Sequence, residues 1–184
     1  MRGTTAQGSA IHPMTARTES QKEVLDPQRF RGALSLFATG VTIVTACHRE
    51  AGLIGITANS FSSVSLDPPL VLFSVANTAR SLKAFLEAPG FVVNVLRRDQ
   101  RALSSRFARQ GEDKWSGVAY TAGRFGAPIL PDTMAAFDCL HYAQYEGGDH
   151  RIIVGQVVAM EHNVEGEPLL FFGGRYRALG EEIT

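Results

Sequence analysis

A succession of short segments rich in Val, Ile, Phe and Thr is the feature that most constrains the fold of this chain. Such segments are typical of β-strands, and they occur at residues 41–46, 53–58, 70–75, 91–96, 135–145, 151–162 and 169–172, the last continuing past Gly173-Gly174 into Tyr176. Because these strands do not alternate regularly with helices, a doubly wound parallel sheet is disfavoured. We predict a mostly β chain of six or seven strands in a closed or nearly closed antiparallel barrel, since closure removes exposed strand edges.

Three short helices are predicted at the periphery of this barrel. The first begins at Asp26, which can cap a helix whose first position is Pro27. Its apolar face is formed by residues at helical spacing: Phe30, Leu34 and Phe37. Gly40 supplies a plausible stop, which gives a helix of about three turns. The other two helices are predicted over residues 81–87 and 99–108.

Composition and charge limit the organisation and the partners of the chain. Its 184 residues, 45% of them apolar, suffice for one hydrophobic core. Residues 1–22 are small and polar and are predicted to be a disordered lead before one domain over residues 23–184. Lys and Arg (18) balance Asp and Glu (18), so neither a nucleic acid nor an anionic membrane is an expected partner. We expect a soluble protein, because no apolar run reaches the ~18 residues of a membrane span.

Several familiar site types are not indicated by the sequence. There is no Gly-x-Gly-x-x-Gly segment, no phosphate-binding loop and no Gly-x-Ser-x-Gly elbow. The five histidines lack metal-ligand spacing, so no metal site is predicted. Cys47 and Cys139 are too few for a disulfide framework, which fits a reducing cytoplasm.

The most informative stretch is TANSFSSVSLDPP at residues 57–69, where a predicted strand runs into a high density of hydroxyl and amide groups. Such a strand end offers hydrogen-bond donors and acceptors to a flat polar ligand. The alternative is a Ser-rich loop that satisfies its own backbone, and composition alone favours that alternative.

A second polar stretch, SVANTARS at residues 74–81, leads from a strand into a predicted helix. It combines hydroxyls, an amide, a cation and free N–H groups, which are the requirements of a phosphate site. An ordinary helix cap with a solvated arginine explains the same residues equally well.

A third candidate lies at the turn predicted over residues 146–149, which joins the two long strands. A Gly-, Pro- and Asp-rich loop at 111–133 precedes the first of these strands. Glycines at 147 and 148 bring the backbone close to a neighbour, and His150 opens a strand at the barrel rim. A histidine there can donate to an amide of a ligand. Most single histidines at strand ends are nevertheless only surface residues.

Taken together, these residues resemble the flavin reductase-like family, the FMN-binding split barrels that serve as small components of two-component flavin monooxygenases. The resemblance runs from about residue 30 to residue 179. It is carried by the order of eight motifs: FATGVTIVT (37–45), TANSFSSVSLDPP (57–69), SVANTARS (74–81), RFA (106–108), DKW (113–115), GAPIL (126–130), GDHRI (148–152) and PLLFF (168–172).

The resemblance implies a Greek-key split β-barrel that forms a homodimer, with flavin near the subunit interface. The isoalloxazine and ribityl chain would lie along Thr57, Ala58, Asn59 and Ser60. The phosphate would be held by Ser74, Asn77, Arg80 and Ser81. Val41 and Thr42 would touch the ring, Phe107 and Tyr176 would close the pocket, and His150 would position the nicotinamide cofactor.

The implied activity is that of an NAD(P)H:flavin oxidoreductase. Hydride would pass from NADH or NADPH to FMN or FAD, and reduced flavin would leave for a partner monooxygenase. No protein acid or nucleophile is required for this transfer, which agrees with the lack of a catalytic dyad or triad. The alternatives are a split barrel that uses bound flavin to reduce another acceptor, such as a corrinoid, and a non-catalytic flavin-binding or storage protein.

Overall fold

Seven antiparallel strands form the main sheet of the protein. The computed structural model describes residues 25–111 and 113–182, so the predicted disordered lead at residues 1–22 lies outside the described residues. The strands are β1 Thr39–Gly40, β2 Thr42–His48, β3 Gly52–Ala58, β4 Ser62–Leu66, β5 Pro69–Ala76, β6 Gly90–Val95, β7 Thr121–Ala122, β8 Pro128–Ile129, β9 Ala135–Gly147, β10 His150–His162, β11 Leu170–Phe172 and β12 Arg175–Arg177. The helices are α1 Pro27–Leu34, α2 Leu82–Glu87 and α3 Arg101–Ala108, with a 3₁₀ turn at Arg98–Gln100.

The order of strands shows that the main sheet curls into a nearly closed barrel. The order is β3-β2-β6-β9-β10-β5-β4, while β1-β11-β12 and β7-β8 form two smaller sheets. Strands β3 and β4 lie at opposite ends of the main sheet, yet only residues 59–61 connect them. The two edges must therefore come close together, and the Ser60 hydroxyl accepts a hydrogen bond from the Ser74 N–H of β5 at 2.9 Å. The predicted antiparallel barrel is confirmed.

Aromatic side chains fill the interior of this barrel. The Phe73 ring of β5 packs edge-on against Phe85 of α2 and Phe91 of β6, with centroids 5.6 and 4.9 Å apart. All three side chains are buried, and burial of each contributes about 1.5–3 kcal/mol. The Phe91 ring packs directly against Gly155 of β10, where a Cβ would lie 2.4 Å from the ring and leave no room for it. Through Phe85 the core fixes α2 and the chain that enters it.

Most of the predicted elements are present, but β4 was missed within the polar stretch at residues 57–69. Strand β4 is the edge of the main sheet and pairs with β5 alone among the described strands. Four of its five residues are exposed, so its sequence needs no alternation of apolar and polar residues. Backbone pairing determines the strand, and its hydroxyl-rich composition concealed it.

The prediction for the first helix is correct at its start and wrong at its end. Asp26 caps α1 as predicted, since its carboxylate accepts a hydrogen bond from Gln28 N at 3.0 Å. The helix ends at Leu34 rather than near Gly40, which lies in β1 opposite Leu170 of β11. Helix α1 buries none of its residues, so no packing within the described chain extends it by a third turn.

Candidate functional site

A cleft of about 630 Å³ opens between the outer edge of β3, the end of β5, the chain entering α2 and the segment that follows α3. It is within the volume range of small-molecule sites. Nine of the thirteen residues predicted to bind cofactor line it: Thr57, Ala58, Asn59, Ser60, Ser74, Arg80, Ser81, Phe107 and His150. The fold thus brings the three separate candidate stretches of the sequence into one place.

The polar strand end forms one wall of the cleft through its backbone more than through its hydroxyls. Ser60 Oγ accepts from Ser74 N and donates to the Ser74 carbonyl at 3.3 Å, and Thr57 Oγ1 donates to the Ser104 carbonyl of α3 at 2.6 Å. These two hydroxyls join the walls of the cleft together. Strand β3 pairs with β2 alone among the described strands, so its other backbone edge faces the cleft. Backbone donors and acceptors are therefore available to a flat ligand.

An arginine reaches across the mouth of the cleft. Arg80 precedes α2, and a Cβ built on Gly111 in the opposite wall would lie 3.4 Å from Arg80 Nη1. Gly111 has φ +83°, a conformation that favours glycine, so its backbone can approach the guanidinium closely. Ser81 caps α2 without a side-chain hydrogen bond to the helix. A guanidinium and a hydroxyl at this end suit a phosphate.

The opposite wall is aromatic. The Phe107 ring at the end of α3 is buried and meets Trp115 edge-on, with centroids 4.9 Å apart. Gly55 of β3 makes this packing possible, because a Cβ there would lie 2.6 Å from Phe107 Cε1. The result is an apolar surface next to the polar strand edge, as a planar heteroaromatic ring requires.

Lys114 is a cleft residue whose position the sequence reasoning missed. Its ammonium donates to the carbonyls of Phe107 and Gly55, at 2.9 and 3.2 Å, and so closes the end of α3 onto β3. Within residues 25–111 and 113–182, no carboxylate lies within ion-pair distance of it, and burial lowers the pKa of Lys114. The DKW motif was the one available signal, and it carried no role by itself.

A two-residue hairpin presents His150 to the cleft. The observed turn has two residues rather than the predicted four, since β9 extends to Gly147 and β10 begins at His150. Gly148 has φ +72°, as tight two-residue turns require. His150 Nδ1 lies 2.7 Å from Asp149 Oδ1, and this hydrogen bond, with the charge of the imidazole, lowers the pKa of the Asp149 carboxyl.

Four predicted binding residues do not line the cleft: Val41, Thr42, Asn77 and Tyr176. The first two are buried in the barrel, where Thr42 Oγ1 donates to the Ala58 carbonyl at 2.8 Å. The Tyr176 hydroxyl lies 2.9 Å from Ser104 Oγ, and the Asn77 amide donates to the Gly148 carbonyl at 3.0 Å. These side chains support the residues that form the cleft.

The described residues contain neither a cluster of metal ligands nor a helix that could span a membrane. No group of three or more His, Cys, Asp and Glu side chains there could hold a metal ion. No helix of residues 25–111 and 113–182 is long and apolar enough to cross a membrane.

Comparison with known families decides what kind of site this is. The model of the flavin reductase like domain matches residues 34–180, most of the chain. The chain belongs to the flavin reductase like family. The family that the sequence predicted is therefore confirmed.

Individual relatives confirm the split-barrel fold and the flavin reductase activity that the sequence predicted. The chain is 48% identical over 147 residues to FMN reductase (NADH) SmoA of Agrobacterium fabrum, covering 80% of this chain and 83% of that protein. It is 38% identical over 162 residues to HsaB of Rhodococcus jostii, a reductase subunit of a flavin-dependent monooxygenase, covering 88% and 83%. The NADH:FAD oxidoreductase SgcE6 of Streptomyces globisporus, solved with NAD and FAD fragments, superposes with TM-score 0.81 at 37% identity, covering 88% and 99%. Two further matches are spanned only about halfway, at 45% and 53% of their length.

The residues of the cleft fit a flavin nucleotide. An apolar aromatic wall and an open strand edge suit an isoalloxazine, and the Arg80 guanidinium at the mouth suits a phosphate. No acidic cluster in the described lining opposes that phosphate, where Asp113 is the one carboxylate. The Asp113 carboxylate already accepts from the N–H groups of Trp115 and Ser116, at 3.1 and 3.3 Å.

Proposed function

We propose that this protein binds FMN or FAD in the cleft, reduces it with NADH or NADPH, and releases the reduced flavin to a separate flavin-dependent monooxygenase. The observation that carries the proposal is the single cleft that joins the β3 edge, Arg80 and His150. The cleft has an apolar aromatic wall and a cation at its mouth, which complement the flat ring and the anionic phosphate of a flavin nucleotide.

Each part of the cleft has a distinct task in this proposal. The backbone of residues 57–60 orients the ring edge, while Phe107 and Trp115 exclude water from its apolar side. Ser74, Arg80 and Ser81 hold the phosphate. His150 orients the nicotinamide cofactor from the hairpin. Bound flavin supplies the hydride-accepting chemistry, so the protein contributes orientation rather than an acid or a nucleophile.

The exposure of the site supports a flavin that dissociates. Asn59 and Ser60 beside the ring edge and Arg80 beside the phosphate are exposed, so the cleft is open to solvent. Such a site favours release of the flavin, and we expect the nicotinamide cofactor to bind with an affinity on the order of micromolar, about 8 kcal/mol. HsaB and related reductase subunits act beside a separate monooxygenase, which is the kind of acceptor expected for the released product.

We place the protein in the cytoplasm as a homodimer. Its two cysteines are free thiols, the form that a reducing compartment maintains. Phe30, Leu34 and Phe37 at the α1 end are 51%, 58% and 77% exposed. Apolar side chains clustered in this way mark an interface, and a second copy of the chain is the partner that the family resemblance implies.

A turnover assay tests the activity. The purified protein is mixed with NADH or NADPH and an excess of free FMN or FAD, and nicotinamide oxidation is followed by absorbance. We expect many turnovers per protein with at least one pair of cofactors. Absence of turnover with all four pairs, from protein that binds flavin, would instead indicate a flavin-storage protein.

A further inference from the structure

We infer that Asn77 is a positioning residue for the nicotinamide cofactor, acting through the hairpin that carries His150, and that it does not hold the flavin phosphate. The inference rests on the proposed function and extends it. It assigns a role to a side chain that the sequence motif SVANTARS placed with the phosphate ligands, and it connects the β5 end of the cleft to the hairpin.

Asn77 makes two hydrogen bonds to the two residues of the turn. Its backbone N–H donates to the Asp149 carbonyl at 2.9 Å, and its side-chain amide donates to the Gly148 carbonyl at 3.0 Å. Because a carbonyl can only accept, the NH₂ group of Asn77 must face Gly148, which fixes the orientation of the amide. The side chain is thereby committed to the turn, and Asn77 is not among the residues that line the cleft.

Outside the β9–β10 hairpin itself, where His150 pairs with Gly147, few contacts hold the turn. The regular β5–β10 ladder ends where His150 faces Ala76, so Asn77 extends the pairing one step beyond the ladder. Gly148 and Asp149 are exposed, and a Cβ on Gly148 would meet no atom within 4 Å. Among the described residues, the Asn77 side chain makes the one side-chain hydrogen bond that joins this turn to the end of β5.

The turn orients the imidazole of His150 through Asp149. His150 follows Asp149 directly, and its Nδ1 is engaged by the Asp149 carboxylate at 2.7 Å. Nε2 has no hydrogen-bond partner among the described residues, which leaves it available to a ligand in the cleft. Hydride transfer depends steeply on geometry, and a misplacement of about 1 Å can cost on the order of 100-fold. A turn released from Asn77 therefore affects the nicotinamide before it affects the flavin.

Two variants separate this role from phosphate binding. Asn77→Asp keeps the size of the side chain but removes the donor, and Asn77→Ala removes the amide entirely. We measure the Kd of FMN by fluorescence titration, and the Kd of NAD⁺ by calorimetry on flavin-saturated protein, which needs no turnover. Each variant is expected to weaken NAD⁺ binding and raise the KM of the nicotinamide cofactor about fivefold to tenfold, with the FMN Kd within twofold of wild type.

Other patterns contradict the inference. A tenfold weaker FMN Kd with unchanged NAD⁺ binding would return Asn77 to the phosphate. Equal losses for both ligands would indicate general damage to the fold, and no change in either would remove the role altogether. Thr78→Ala is the matched control, since Thr78 is adjacent, exposed and outside the cleft lining. It should leave both affinities unchanged.

A double-mutant cycle with His150 tests whether Asn77 acts through it. In the His150→Ala background, Asn77→Ala should change the KM of the nicotinamide cofactor less than twofold, because the group it positions is gone. A full, independent effect there would overturn the inference. Gly148→Ala gives a route that leaves Asn77 intact: at φ +72° it strains the same turn and should produce the same selective loss. If the wild type turns over and the Asn77 variants keep its NAD⁺ affinity and KM, this inference alone is refuted. If the wild type shows no turnover, the proposed function is refuted.

Discussion

Two asparagines each hold a connection of this barrel in place, one in its interior and one at its rim. Asn94 of β6 is fully buried; its amide donates to the Ile43 carbonyl at 3.1 Å, and its Oδ1 accepts from Leu130 N at 2.8 Å. Asn77 also donates a hydrogen bond from its amide to a backbone carbonyl, that of Gly148, but its side chain is exposed to solvent. The same side chain should therefore serve stability in one place and cofactor geometry in the other, because burial multiplies the cost of an unpaired polar group.

The largest effect is expected at the interior position. Asn94→Ala leaves the Leu130 N–H and the Ile43 carbonyl buried without that partner, and should lower the free energy of unfolding by about 2–4 kcal/mol. Urea unfolding followed by circular dichroism measures this change. Asn77→Ala is the matched comparison and should cost less than about 1 kcal/mol. Equal losses at the two positions would break the distinction between them.

A second effect belongs to the rim and should leave stability untouched. Arg80→Met keeps the length of the side chain but removes the cation at the mouth of the cleft. Loss of a charge-assisted contact to phosphate should weaken FMN about 10- to 100-fold. Riboflavin, which lacks the phosphate, supplies the control ligand and should bind wild type and variant equally. Equal losses for both flavins would place Arg80 away from the phosphate.

The smallest effect concerns the acidic member of the hairpin. Asp149→Asn removes the carboxylate that engages His150 Nδ1, and should weaken NAD⁺ binding by roughly threefold, as expected for an exposed pair. The pKa of Asp149 is lowered, so the carboxylate stays ionised down to a pH below its ordinary pKa near 4. The difference between wild type and variant should persist as the pH falls to about 4, and vanish only as Asp149 itself becomes protonated below that value. A difference already lost at pH 6 would show that Asp149 is not its source.

Much of the barrel was predictable because its interior strands obey simple rules. Strands β2, β3, β5 and β6 are apolar runs of the expected length. Their large apolar side chains, such as Phe73 and Phe91, are buried in the barrel interior. Strand β4 escaped prediction because an exposed edge strand needs no pattern. Helix α1 was predicted too long because Phe37 has helical spacing but lies outside the helix and is 77% exposed.

The site was predictable by residue type and motif order, but not by contact. Thr57 and Ser60 were expected to lie along the flavin, but the sequence did not show that their hydroxyls join α3 and β5 to β3. Lys114 is anchored by carbonyls 7 and 59 residues away, a relation that no local sequence pattern contains. Asn77 likewise meets a turn 71 residues later. Hydrogen-bond partners that the fold supplies from distant segments are what sequence reasoning lacked here.

A crystal structure of the protein with FMN bound is the most direct test of the flavin site. The isoalloxazine should lie along the backbone of residues 57–60 beside Phe107 and Trp115, with the phosphate within hydrogen-bond distance of Arg80 or Ser81. Asn77 should still donate to the Gly148 carbonyl and make no contact with the phosphate. An isoalloxazine outside this cleft, or a phosphate bound by the Asn77 amide, would contradict this assignment.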